Sequence, residues 1–127
     1  MTRKLVLTAA AFGGTSIILG AFGAHALRNL LTPPFLNAFE IGVRYQMYHA
    51  LFLLFIALGP ISDKARRGIS ILTIGGVILF SGSLYISALD EALTVNLSFL
   101  GPITPIGGFL LISAWAWLFV DFVRKKT

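Results

Sequence analysis

Four stretches of the chain are apolar for long enough to cross a membrane, with short polar segments between them. They run from Leu5 to about Ala24, about Tyr45 to Gly59, Ile69 to about Leu89, and about Ile103 to Val120. A hydrocarbon core about 30 Å thick takes about 20 predominantly apolar residues in helical form. The second stretch is short by itself. Phe35 to Arg44, which precedes it, reads as a helix start lying at the outer interface before it turns into the span. Thr32-Pro33-Pro34 breaks the chain just ahead. The pattern predicts an all-α membrane protein: one four-helix transmembrane bundle over residues 1–127, with a short interfacial helix between helices 1 and 2.

Composition supports this pattern. Hydrophobic residues make up 57% of the chain and charged residues 12%, about half the charge of an ordinary soluble protein. That leaves too little polar surface to face water on all sides. The net charge of +5 raises the question of nucleic acid, but such sites align basic residues along one face with aromatic residues between them. Here the basic residues stand between the apolar runs, as Arg3 and Lys4, then Lys64, Arg66 and Arg67, then Arg124, Lys125 and Lys126. No nucleic-acid partner is expected. With the N-terminus inside, eight of the ten basic residues fall on the cytoplasmic side, as the positive-inside rule requires, so both termini are expected there. Trp115 and Trp117 then fall near the inner end of the fourth span, where aromatic belts form.

A rival reading takes Arg3-Lys4, the following apolar run and Ala24-His25-Ala26 as a cleaved signal peptide. The run is longer than the roughly 7–15 residues of such a region, and a retained first span is the expectation. The chain contains no cysteine, which excludes disulfides, thiolate metal sites and cysteine nucleophiles. The Asn96-Leu97-Ser98 sequon has meaning only in a eukaryotic secretory pathway.

Small residues mark where the helices should touch, because membrane helices associate by close packing. Ala9, Gly13, Ser16, Gly20 and Ala24 form one narrow stripe on the first span. Thr73, Gly76, Phe80, Ser83 and Ser87 form a seam on the third, and Gly107 and Gly108 open the fourth. A packed bundle uses these surfaces internally; the sharper alternative is that one of them builds a homo-oligomer or docks a partner.

The polar residues that invite a functional reading lie between His25 and Leu51 and at the start of the fourth span. On a continuous helix Tyr45, Gln46 and His49 share a face, while Glu40 lies opposite His49 and pairs with Arg44 at i, i+4. His25 closes the first span and His49 falls about one turn into the second, which places both near the outer leaflet and within reach of each other. With Glu40 they would make a minimal zinc or iron site. The opposed direction of Glu40 and the lack of short ligand spacing favour a hydrogen-bonded helix-joining histidine instead, with proton handling or ligand contact as further readings. No metal and no cofactor is expected.

In Gly101 to Gly108, Thr104 is expected as N-cap with Pro105 at the first helical position. Such a helix start, if open, would offer free N–H groups to an anion. Asp121 is expected to pair with Arg124 or Lys125.

Four segments carry a family likeness: Gly20-Ala21-Phe22-Gly23-Ala24-His25-Ala26-Leu27, Tyr45-Gln46-Met47-Tyr48-His49-Ala50-Leu51, Phe80-Ser81-Gly82-Ser83-Leu84-Tyr85, and Gly101 to Gly108. Together they resemble the domain-of-unknown-function 423 family of small bacterial inner-membrane proteins, relatives of eukaryotic transmembrane protein 256. The resemblance implies a four-helix protein of the bacterial plasma membrane and carries no catalytic roles. Its hallmark positions would be His25, Tyr45, Gln46, His49, Ser81, Tyr85, Thr104 and Pro105, the candidates for any shared ligand site.

Three functions follow in order. The first is a non-enzymatic binding or accessory protein acting through helix packing, in a homo-oligomer or a larger membrane complex. The second is a lipid, quinone or small-anion binding or transport protein with a polar site near the outer leaflet. An enzyme comes last, because none of the carboxylates Glu40, Asp63, Asp90, Glu91 and Asp121 lies near a histidine by helical spacing, and no nucleophile motif flanks Ser81.

Overall fold

The computed structural model describes residues 1–93 and 101–125, with side chains up to Asp90 and again from Gly101. Four helices account for most of them: α1 (Thr2–His25), α2 (Pro33–Leu58), α3 (Asp63–Leu93) and α4 (Ile103–Arg124). The shortest, α4, has 22 residues, which makes it about 33 Å long at 1.5 Å per residue. Each is long and apolar enough to span a membrane.

Local chemistry sets the ends. Thr32 is extended and Pro33 and Pro34 open α2, where their missing N–H groups leave no helical bond unmade. Gly59 in extended conformation and Pro60 stop it. The short helix between the first two spans is a 3-10 turn at Leu27–Asn29. Residues 35–44 do not lie apart from the second span; they form the first turns of a 26-residue α2 that runs unbroken to Leu58. The reason is packing. Phe39 and Gly42 are buried against α1 and α3, which holds the segment in the bundle.

The order in space follows the order in sequence. α1 packs on α2, α2 on α3, and α3 on α4. α1 and α4 bury less than half the share of their residues that α2 and α3 do, so they are the flanks. Two apolar cores lie toward opposite ends. One joins Leu27, Leu31, Phe39 and Ala88; the other, at the end with both termini, joins Phe52, Ile56, Ile61, Ala65, Ile69 and Ala114.

The small-residue surfaces are used between neighbouring helices. On α1 the buried small residues are Ala9, Ser16 and Gly23, spaced by seven, with Gly13 facing Ala50 and Gly20 facing Val43. Ala24, expected in the stripe, is exposed instead and Gly23 replaces it against Phe39. The seam keeps a seven-residue period to the end of α1, as packed helices that coil about each other do, and seven residues after Ser16 stands Gly23 rather than Ala24. On α3, Gly76 and Phe80 meet α4 at Leu111 and Gly107. There the two backbones are in direct contact.

At the end with both termini, Arg66 closes α2. Its Nε donates to the Ile56 carbonyl and its Nη2 to the Gly59 carbonyl, each at 3.0 Å, while Nη1 donates to Asp63 at 2.8 Å. A cation on the last carbonyls of a helix meets the negative end of its dipole. Asp121 pairs with neither Arg124 nor Lys125. It accepts from the Ser62 hydroxyl at 3.3 Å, and Lys125 donates to the Pro60 carbonyl at 2.6 Å. The α2–α3 link lies close enough to α4 to take both side chains. At the other end Glu40 and Arg44 form the expected pair, at 3.6 Å.

Candidate functional site

Tyr45, Gln46 and His49 share a broad face of α2, but that face lies between two neighbours and splits into two constellations. Gln46 turns toward α1 and α3. Its Nε2 donates to the Phe12 carbonyl at 2.8 Å and to Thr15 Oγ1 at 2.7 Å, and its Oε1 accepts from the Tyr85 hydroxyl at 2.7 Å. Both amide hydrogens are therefore used, and one residue ties three helices.

Glycine makes the Tyr85 contact geometrically feasible. A helical side chain leans toward the N-terminus of its own helix, so Tyr85 points back along α3 and across α2. Its ring lies over Gly42, where an added Cβ would stand 2.8 Å from Tyr85 Cε1. Ser81, one turn earlier on α3, donates to the Gly42 carbonyl at 2.7 Å. Ser81, Tyr85, Gly42 and Gln46 thus form one polar seam between α2 and α3, with Ser81 and Gln46 buried.

His49 turns toward α4. Its Nδ1 lies 2.7 Å from the Tyr45 carbonyl, and the Trp115 indole N–H donates to its Nε2 at 3.0 Å. A carbonyl can only accept and an indole N–H can only donate. The ring is therefore neutral, with its proton on Nδ1, and both nitrogens are engaged. Tyr45 stacks on His49, Phe52 and Trp115 stand edge-on to it, and Tyr45 also meets Phe80 of α3.

The remaining candidates are scattered. His25 is exposed at the end of α1 and His49 is far from it in depth. His49 stands 16 residues after Pro33 on the unbroken α2, about 24 Å into the helix, rather than one turn in. The expected approach of the two histidines fails because residues 35–44 add turns to the same helix. Among the described residues, no three of His, Asp or Glu are grouped to hold a metal ion. Thr104 is not the N-cap: α4 starts at Ile103 with Pro102 before it, and Pro105 is the third helical residue, exposed. All three positions fall in the first turn, where N–H groups have no intrahelical partner, so Pro105 is tolerated there. The Thr104 hydroxyl is used elsewhere, 2.5 Å from that of buried Ser83 on α3.

Sequence reasoning missed Trp115, Thr15 and Gly42. Trp115 was assigned to an interfacial belt, yet a depth match was present: it stands nine residues before the end of α4, and His49 nine before the end of α2. Thr15 and the Phe12 carbonyl lie on α1 with no pattern that singles them out.

With this geometry in view, the comparisons with known proteins are direct. The profile of the family described as "Protein of unknown function (DUF423)" matches residues 19–108. The chain belongs to the DUF423 family. It is 40% identical over 111 residues to the UPF0382 membrane protein YwdK of Bacillus subtilis, covering 84% of this chain and 85% of the relative. A UPF0382 membrane protein of Haemophilus influenzae is 35% identical, with 100% and 99% coverage. The UPF0382 inner membrane protein YgdD of Escherichia coli is 33% identical, with 99% and 95% coverage. No solved structure matches the chain. The DUF423 segment contains Gln46, His49, Ser81, Tyr85 and Thr104 and stops short of Trp115.

Proposed function

We propose that this DUF423 protein is a non-enzymatic binding or accessory protein of the bacterial inner membrane, working through its helix faces with both termini in the cytoplasm. One observation carries the reading. Both Gln46 Nε2 hydrogens, its Oε1 and both His49 ring nitrogens already have partners inside the bundle. Catalysis needs an acid, base or nucleophile within hydrogen-bond reach of a substrate, and the centre of this bundle joins its polar groups to one another. The flanks, by contrast, keep wide apolar faces. Phe109, Ile112, Phe119 and Val123 of α4 are each 68% or more exposed.

Because the small-residue stripe of α1 is occupied by α2, a homo-oligomer or a complex would use the outward face of α4 or of α1. Binding of a lipid, quinone or small anion at the polar residues is the weaker reading. Gln46 or His49 would have to exchange a protein partner for the ligand, and the ligand would have to replace the lost bond.

The deciding experiment is native mass spectrometry of the protein extracted from its own membrane in mild detergent. A homo-oligomer, or co-recovery with other membrane subunits, is expected. A monomer carrying a stoichiometric small molecule, lost in His49→Ala but retained in Arg124→Gln, would replace this reading with the ligand-site one. The orientation is tested separately by reporter fusions at each terminus; an external signal from either would overturn it.

A further inference from the structure

Ser70 has an unusual status in this molecule. Six other helical hydroxyls, those of Thr8, Thr15, Ser16, Thr73, Ser83 and Ser113, bond back to a carbonyl of the preceding turn, and those of Ser81 and Thr104 reach a neighbouring helix. Ser70 Oγ, in a residue only 4% exposed, is the buried side-chain polar atom without a partner among the described residues. A buried unsatisfied group requires an explanation.

Its surroundings supply one. Ser70 lines a crevice of about 370 Å³ between the first turns of α1 and α3, walled by Leu5, Ile71 and Ile74 and flanked by Lys4 and Arg67. This crevice shares Arg67 and Ile71 with a larger cleft of about 810 Å³ that Lys64 and Trp117 also border. Neither Lys4 nor Arg67 has a carboxylate: the ion pairs among the described residues are Glu40 with Arg44 and Asp63 with Arg66. Two free cations therefore stand over an apolar slot whose wall includes Ser70, with its unused hydroxyl buried just behind the surface.

We propose that this crevice binds an anionic phospholipid, with the phosphate between Lys4 and Arg67 and the glycerol-ester region at Ser70. The depths agree. Ser70 lies three residues beyond Arg67 on α3, about 4.5 Å along the helix. The polar layer of one leaflet, between headgroup and hydrocarbon, is about 5–7 Å thick. The Ser70 side chain turns to another staggered rotamer and brings its hydroxyl to an ester oxygen, which accepts from it, and the acyl chain follows Leu5 and Ile74. Basic pockets between membrane helices hold anionic headgroups on these terms. The site requires only that this end of the bundle meet a membrane surface, which the lengths of α1 and α3 ensure.

The test is retention of phosphatidylglycerol by the full chain in detergent, read by native mass spectrometry against phosphatidylcholine. Arg67→Gln and Lys4→Gln should each weaken retention about fivefold, the effect of one basic residue near a membrane surface. Ser70→Ala should weaken it two- to fivefold with no loss of thermal stability, since it removes an unsatisfied group. Arg124→Gln, at the same end but outside the crevice, should leave retention unchanged. Equal retention of phosphatidylcholine, or an equal effect of Arg124→Gln, would reduce the attraction to diffuse charge and overturn the site. So would an unchanged Ser70→Ala. Complete displacement by millimolar inorganic phosphate would overturn the lipid in favour of a free anion.

Discussion

The contact between α3 and α4 at Gly107 makes a sharp test of the packing. An ideal Cβ built on Gly107 would lie 2.8 Å from both the Leu79 carbonyl carbon and Phe80 Cα, and within contact of the Phe80 nitrogen. Ordinary van der Waals contact begins at about 3.4 Å, so Gly107→Ala must part the helices locally by at least about 0.6 Å. A gap of about 0.5–1 Å forfeits a quarter to a half of each neighbouring attraction. Overpacking costs about 1–3 kcal/mol, and backbone atoms, which have no rotamer to turn away, place this site at the upper end. Alanine returns about 1 kcal/mol of helix propensity. The expected net loss is about 2 kcal/mol. It is measurable by reversible unfolding in mixed micelles, with Trp115 and Trp117 of α4 as fluorescent reporters. Gly14 and Gly82 are the controls, since a Cβ on either meets nothing within 4 Å. Their alanine variants should match the parent or exceed it by up to about 1 kcal/mol. A Gly107→Ala protein as stable as Gly14→Ala would refute the close backbone approach.

Two further predictions concern the polar centre. Gln46→Leu removes three interhelical bonds, each worth about 0.6 kcal/mol in membrane proteins, and should lose about 2 kcal/mol; Tyr85→Phe should lose about a third of that. Equal losses in the same unfolding assay would mean that Tyr85 carries the whole seam and that α1 is not tied by Gln46. His49→Phe keeps the ring stack but removes the acceptor of the Trp115 N–H, so Trp emission should shift to the blue. In a Trp115→Phe background the substitution should produce no shift, and any that persists would place the reporter at Trp117 instead.

How much of this was legible beforehand depends on the range of the interaction. The four spans were read from local hydropathy, because each helix meets lipid with its own residues. The Glu40–Arg44 pair and the break in the chain at Thr32-Pro33-Pro34 were legible for the same reason, as both lie within one or two turns. The depth of His49 was misjudged, since whether residues 35–44 continue α2 or bend away depends on Phe39 and Gly42 finding α1 and α3. The cap of α4 was misjudged, because Thr104 spends its hydroxyl on Ser83 of another helix and the helix begins at Ile103.

The sequence alone therefore determined the fold class, the number of spans and the family, all of which rest on apolar run length and ordered motifs. Only the tertiary structure decided the partners: that Gln46 joins α1 and α3, that His49 meets Trp115 rather than His25, and that the α1 stripe is consumed by α2. The physical reason is directional. Hydropathy accumulates along a chain and needs no neighbour. A hydrogen bond or a glycine contact depends on the rotation and depth of two helices at once, and a small drift in either selects a different residue, as Gly23 in place of Ala24 shows.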